Sequence, residues 1–242
     1  MVLTQAGVGA GCEQAAVAPV VCERFDDLGA DGRPVRLGIM GGTFDPIHIG
    51  HLACAEQARE AFGLDAVVFI PAGKPAFKLK RDVTPAEQRF EMCRLAVQGD
   101  PRFFVCDLEL RRQGNSYTAD TLRELEEIYP NTRFFLLMGT DMFLTVQNWY
   151  HAQEIFRRAI LVAGARKKGE EELLKEQLSL LEALGAQGRI VPCQVVKLSS
   201  TQVRAARKRG ENLSGMVPPA VEAYMNENKL YLPKEEKADG NG

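Results

Sequence analysis

Two of the three histidines in this chain, His48 and His51, stand three residues apart in the run Gly41-Gly42-Thr43-Phe44-Asp45-Pro46-Ile47-His48-Ile49-Gly50-His51. The run starts where the apolar stretch Val35–Met40 ends and stops where an amphipathic stretch begins. That is the pattern of a strand, a glycine turn and a helix N-terminus. Gly41 and Gly42 lack a Cβ, so backbone there approaches a ligand closely. The N–H groups opening the following helix lack intrahelical acceptors and favour an anion. Two imidazoles beside that position donate hydrogen bonds to phosphate oxygens. A second set of the same kind comes late in the chain, in Leu198-Ser199-Ser200-Thr201-Gln202-Val203-Arg204. Ser200 and Thr201 are natural N-caps, and Arg204 falls one turn further on. Hydroxyls, helix N–H groups and a guanidinium again suit a phosphate, so both runs point to a nucleotide site.

The first run is not a P-loop, because no Gly-Lys-Ser/Thr follows at the required spacing, and its turn carries no GxGxxG. It resembles the His-x-Gly-His signature of a nucleotidyltransferase superfamily. The longer string GGTFDPIHIGHL is similar to the bacterial nicotinate-mononucleotide adenylyltransferases in particular, and Ser199–Arg204 resembles their Ser-Ser-Thr-x-Ile/Val-Arg motif. The resemblance implies adenylyl transfer, in which a nucleotide phosphate attacks the α-phosphorus of ATP and expels pyrophosphate. Nucleophile and leaving group are both ionised already, so catalysis reduces to positioning and charge stabilisation. It also implies magnesium on the ATP phosphates and no metal held by the protein alone. ATP-binding positions implied are Gly41, Gly42, Thr43, Phe44, His48, His51, Gly139, Asp141, Ser200, Thr201 and Arg204. Of these, His48, His51 and Arg204 are the catalytic set, with His51 nearest the α-phosphate.

Further landmarks refine the family. Pro71–Lys78 resembles a Pro-x-x-x-Pro-Pro-His-Lys loop in which Ala76 and Phe77 replace Pro and His, while Lys78 keeps its register for a phosphate. Ser116-Tyr117-Thr118, after Asp107-Leu108-Glu109, resembles the family segment that recognises the pyridine nucleotide, at a helix start whose N–H groups could receive a carboxylate. Gly139-Thr140-Asp141 resembles a Gly-x-Asp whose acid accepts from a ribose hydroxyl. Trp149, the only tryptophan, falls where the family sets an aromatic ring against the nicotinate, with core packing as the alternative. Ala163–Arg166 resembles a segment near the nucleotide. His151 matches no motif. The implied substrates are ATP and nicotinate mononucleotide. Nicotinamide mononucleotide or another phosphorylated acceptor is the nearest rival, and a nucleotide-binding regulatory protein without turnover is a rival of another class.

The elements that must position these residues alternate. Strands are expected at Val35–Met40, Ala66–Ile70, Phe103–Cys106, Arg133–Met138, Ala159–Ala163 and Val191–Val196. Helices are expected over Ile49–Phe62, from the capping-box pattern Thr84–Glu87 to Val97, within Tyr117–Tyr129, over Glu171–Leu184, from Thr201, and after Pro218-Pro219. Alternation of this kind implies an α/β, doubly wound parallel sheet, and the resemblance makes it Rossmann-like. Ligands then bind beyond the carboxyl ends of the strands, where the order reverses. Residues 1–34 are read as a partly disordered extension, 35–232 as the nucleotidyltransferase domain and 233–242 as a polar tail. The basic run Arg207-Lys208-Arg209 is read as a solvated face.

Composition sets the outer bounds. The 242 residues are 45% hydrophobic and 26% charged with a net charge of −2, the balance of a globular domain with material for a core. A polyanion-binding domain would usually be basic, so neither nucleic acid nor a membrane surface is expected as a partner. No apolar run approaches a membrane span of ~18–20 residues, and no secretory leader is legible. The six cysteines show no CxxC and no metal spacing, so buried thiols in a reducing cytoplasm are expected. Oligomeric state is left open.

Overall fold

In the computed structural model, residues 32–75, 83–164, 169–191 and 198–233 are described. Six strands form one sheet: β1 (Val35–Gly42), β2 (Ala66–Pro71), β3 (Phe103–Val105), β4 (Thr132–Gly139), β5 (Ala159–Gly164) and β6 (Gln187–Val191). Every pairing is parallel and the order is β3-β2-β1-β4-β5-β6. The expected doubly wound sheet is therefore present. Its order reverses between β1 and β4, and a crevice for ligands opens beyond the carboxyl ends of those two strands.

Strand side chains alternate between two cores, because successive Cβ atoms point to opposite faces. Leu37, Ile39, Val68, Ile70, Phe134, Leu136, Met138, Leu161 and Ala163 enter one core. There they meet Leu122 and Leu125 of α4 (Thr118–Ile128), Ile155 and Phe156 of α6 (Ala152–Arg158), and Leu174 and Leu181 of α7 (Glu170–Ala183). Met40, Val67, Phe69, Phe135, Leu137, Ile160 and Val162 enter the other. That face is covered by α1 (Ile49–Phe62), α2 (Ala86–Val97), α8 (Ser200–Lys208) and α9 (Pro219–Glu227). Two short helices, α3 (Leu108–Arg111) and α5 (Thr140–Phe143), sit in the loops above the strand ends. Strands covered on both faces read as near-continuous apolar runs, which is why β1, β2, β4 and β5 were legible.

Three local expectations are corrected. The last strand lies at Gln187–Val191, while 192–197 falls outside the described residues. This edge strand leaves Gln187 and Arg189 exposed and buries only Gly188 and Val191, so it lacks the apolar run of its neighbours. A Cβ on Gly188 would come within 2.3 Å of Leu178 Cδ1, so a larger residue there would make that side chain shift. The capping box at Thr84 does not form: Pro85 occupies the N-cap of α2 without a side-chain bond, and the Thr84 carbonyl accepts from Arg89 instead. Arg207 is not on a solvated face either, since it donates to the Leu230 and Met225 carbonyls and holds the end of α9. The extension before residue 32 and the tail after 233 lie outside the described residues.

Candidate active site

The glycine turn sits at the crest of the sheet. Gly41 and Gly42 are still paired in β1, opposite Ile70 and Pro71 of β2. A Cβ on Gly41 would meet no atom within 4 Å, so packing does not demand the glycine; the open space is the cavity it lines. The chain then turns through Phe44, whose φ is 48°, and enters α1 at His48. Phe44 is buried, its ring edge-on to His51 at 5.1 Å and to Phe69 at 5.9 Å. The two imidazoles stack with centroids 3.7 Å apart. His51 Nδ1 accepts from the His48 backbone N–H at 3.2 Å. A ring that accepts at Nδ1 carries its proton on Nε2, so His51 presents an Nε2–H donor. His51 lines the cavity, whereas His48 is 5% exposed and lies beneath it.

Helix α8 reaches the same turn from 150 residues away in sequence. Ser200 Oγ donates to the Pro46 carbonyl at 2.8 Å. Arg204 Nη1 donates to the Asp45 carbonyl at 2.6 Å, and Nη2 to Thr201 Oγ1 at 3.0 Å. The N-cap is Ser199, not Ser200 or Thr201: its hydroxyl accepts from the Gln202 N–H, which leaves Ser200 inside the first turn to tie the helix to the histidine run. Asp45 is almost fully buried and accepts at Oδ1 from the Tyr231 hydroxyl at 2.5 Å. Burial, and then that bond to a carboxylate, push the Tyr231 phenol far above its ordinary value, so it stays a donor.

A cavity of about 470 Å³ opens beside this turn. Its walls include Gly41–Phe44, His51 and Cys54 from the β1–α1 unit, Gly139 and Asp141 after β4, Ser116–Thr118 at the start of α4, and Trp149 with Tyr150. Tyr117 is the N-cap of α4 and gives it no side-chain cap bond, and Tyr117 and Thr118 at this helix start line the cavity. Trp149 is partly buried, packs against the core and also lines the cavity. Tyr117 and Tyr150 stand with ring centroids 4.5 Å apart on the same wall. Glu109 lies behind Ser116. Burial pushes its carboxyl up, against the pull of the Thr121 hydroxyl bonded to Oε1 at 2.7 Å.

The structure thus brings the expected residues into two neighbouring groups. Gly41–Phe44, His51, Gly139, Asp141, Ser116–Thr118 and Trp149 line one cavity; Ser200, Thr201 and Arg204 join through the outer side of the histidine turn. Lys78, Ala76 and Phe77 lie outside the described residues, as do Ala165 and Arg166. Among the described residues no group of three or more His, Cys, Asp or Glu forms a candidate metal site, and no helix is long and apolar enough to cross a membrane.

A family model described as cytidylyltransferase-like matches residues 39–206. A Lachnoclostridium phytofermentans protein named "Probable nicotinate-nucleotide adenylyltransferase" is 35% identical over 81% of this chain and 99% of its own length. A protein of the same name from Dehalococcoides mccartyi is 39% identical over 81% of this chain and 97% of its own. The chain belongs to the nicotinate-nucleotide adenylyltransferase family. Its fold is also that of the Plasmodium falciparum nicotinic acid mononucleotide adenylyltransferase complexed with NaAD, at a TM-score of 0.66 and 16% identity, covering 81% of this chain and 97% of that one.

Several residues at the site carry no motif in the sequence. Cys54, Asn148 and Tyr150 line the cavity without belonging to any quoted motif. Cys93 and Cys106 are buried thiols, as expected, and burial raises both, Cys106 to about 12. Cys54 departs from that expectation by standing at the cavity wall. His151 is exposed, edge-on to Tyr150, at the N-cap of α6. Tyr231 and Arg89 hold the turn from positions with no local signal at all.

Proposed function

We propose that this adenylyltransferase moves AMP from ATP to nicotinate mononucleotide, giving deamido-NAD and pyrophosphate. The observation that carries the reading is the junction of two phosphate-type elements at the switch point: Asp45 and Pro46, in the turn leading to His48, are bonded to α8 by Arg204 and Ser200. Beside it, the cavity offers an uncapped helix N-terminus and an aromatic wall to a second nucleotide. Relatives with 35% and 39% identity carry the matching name.

Each residue takes a role from its chemistry. Nε2–H of His51 donates to the α-phosphate as negative charge shifts toward the leaving pyrophosphate. His48, stacked beneath it, holds that ring in place. Gly41, Gly42, Thr43 and Phe44 supply close backbone, with Phe44 packing the turn from below. Ser200, Thr201 and Arg204 serve the triphosphate, Gly139 and Asp141 the ribose. Ser116, Tyr117 and Thr118 receive the nicotinate carboxylate at the start of α4, and Trp149 stacks on its ring. Lys78 is assigned to a phosphate by its motif register. The donors here are imidazole, hydroxyl, amide and guanidinium, which suit phosphate oxygens and not a bare cation. Magnesium therefore belongs on the ATP phosphates, where it neutralises charge. Chemistry on ATP with reduced cysteines fits a cytoplasmic setting.

Pyrophosphate release from ATP tests the reading, with nicotinate mononucleotide as acceptor and nicotinamide mononucleotide in parallel. Release that depends on both ATP and the acid mononucleotide is expected; no release with either acceptor would leave a binding protein of this fold.

A further inference from the structure

Arg89 lies in α2, is 1% exposed, and is the largest side chain buried this completely among the described residues. Burying a guanidinium is costly unless its donors are satisfied. A methionine would fill similar space without that cost, so packing alone does not account for the charge. What accounts for it is where the donors go. Nε donates to the Thr84 carbonyl at 2.8 Å and Nη1 to the Thr43 carbonyl at 2.7 Å. Nη2 donates to the carbonyls of Ala72 at 2.7 Å and Gly73 at 3.2 Å. Asp45 lies close enough to favour the cation.

Thr43 belongs to the turn assigned to ATP. Ala72 and Gly73 follow β2 and lead to the other wall of the cavity. Gly73 rests directly on α3: a Cβ there would stand 2.2 Å from the Glu109 carbonyl oxygen. One residue on, the Lys74 carbonyl accepts from the Ser116 N–H at 2.9 Å. An unbroken line of bonded or touching backbone therefore runs from Thr43 through the Arg89 fork to Ala72 and Gly73, and on to Glu109 and Ser116.

We propose that Arg89 is a positioning residue that fixes the separation between the ATP turn and the acceptor wall. This inference rests on the adenylyl-transfer reading. In-line attack needs the acceptor phosphate about 3–3.5 Å from the α-phosphorus, and a misplacement near 1 Å costs on the order of 10²-fold. A slipped spacing harms the transition state more than either ground-state complex. The loss therefore appears in kcat before it appears in KM.

The test uses the full chain carrying Arg89→Lys, assayed by pyrophosphate release at a temperature where circular dichroism shows the variant folded. A lysine keeps the charge but cannot span the carbonyls of Thr43 and Ala72 together. The expected result is kcat reduced on the order of 10²-fold, with each KM within about fivefold of the parent. In Arg89→Ala, added guanidinium at a non-denaturing concentration restores part of the lost kcat and methylammonium does not. A folded Arg89→Lys with kcat within about threefold of the parent, or an alanine variant indifferent to guanidinium, overturns the proposal. If neither variant folds, Gly73→Ala strains the same line from its half-buried end. It should lower kcat by about tenfold or more while ATP binding measured alone is unchanged, and a parental kcat overturns the proposal. A parent that releases no pyrophosphate overturns the adenylyl-transfer reading and this inference with it. An active parent beside an equally active Arg89→Lys overturns this inference alone.

Discussion

Replacing Arg204 by lysine separates charge from geometry at the junction of the two phosphate elements. The guanidinium spans two acceptors, the Asp45 carbonyl at 2.6 Å and the Thr201 hydroxyl at 3.0 Å. A lysine head is a compact point charge and serves one of these positions at a time. At least one charge-assisted hydrogen bond is then lost, a change of about 1.5–3 kcal/mol for buried examples. Arg204 is only half-buried, so water replaces part of the loss and the lower end of that range applies. About 1.4 kcal/mol corresponds to tenfold in a rate or binding constant. If the fork also serves the triphosphate, as proposed, kcat/KM for ATP falls about tenfold. KM for nicotinate mononucleotide stays within about threefold, because Ser116–Thr118 line the cavity and Arg204 does not. Initial rates of pyrophosphate release with each substrate varied in turn give both numbers, and a denaturation curve shows whether the Asp45 tie alone has suffered. Unchanged ATP kinetics in a folded variant would refute a phosphate role for Arg204 and leave it as a strut between α8 and the turn.

His51→Ala removes the Nε2–H donor at the cavity and should lower turnover on the order of 10²–10³-fold; turnover within about threefold of the parent, in a folded variant, removes His51 from catalysis. Glu109→Gln keeps an acceptor for Thr121 and removes a carboxyl whose proton affinity burial has raised. The folded parent therefore binds more protons than the unfolded chain above about pH 4.3 and loses stability as pH rises through the raised value. The glutamine variant should gain melting temperature over the parent at pH 8 and lose that gain near pH 4, and a gain larger in acid would contradict this sign. Nicotinate mononucleotide should be preferred over the nicotinamide form by at least ~10²-fold in catalytic efficiency, since helix N–H groups suit a carboxylate and leave an amide NH₂ misfitted. Equal efficiencies in side-by-side assays would refute the specificity but not the adenylyl transfer.

The parts of this molecule legible in its sequence are those encoded within one strand–turn–helix at a time. Val35–Gly42 reads as a buried strand because both its faces are covered, and the His48–His51 run is recognisable as a unit of twelve consecutive residues. The C-terminal limit of α1 at Phe62 matches the glycine that follows, Gly63, which takes the left-handed cap. Local patterns failed at the sheet edge, where β6 buries only Gly188 and Val191 and so shows no apolar run. What composition and spacing could not reach is which distant atoms meet. Ser200 finds Pro46, Arg204 finds Asp45 and Tyr231 finds Asp45 across 154, 159 and 186 residues. Arg89 belongs to no motif, and its burial and its bonds to the Thr43 and Ala72 carbonyls come from the fold. Periodicity, capping and turn chemistry act between neighbours a few residues apart, so the sequence alone determined the strands β1 to β5, the turn and the phosphate-type residues. Sheet order brings the carboxyl ends of β1 and β4 together and carries α8 back across them, so only the tertiary structure decided that these residues share one site.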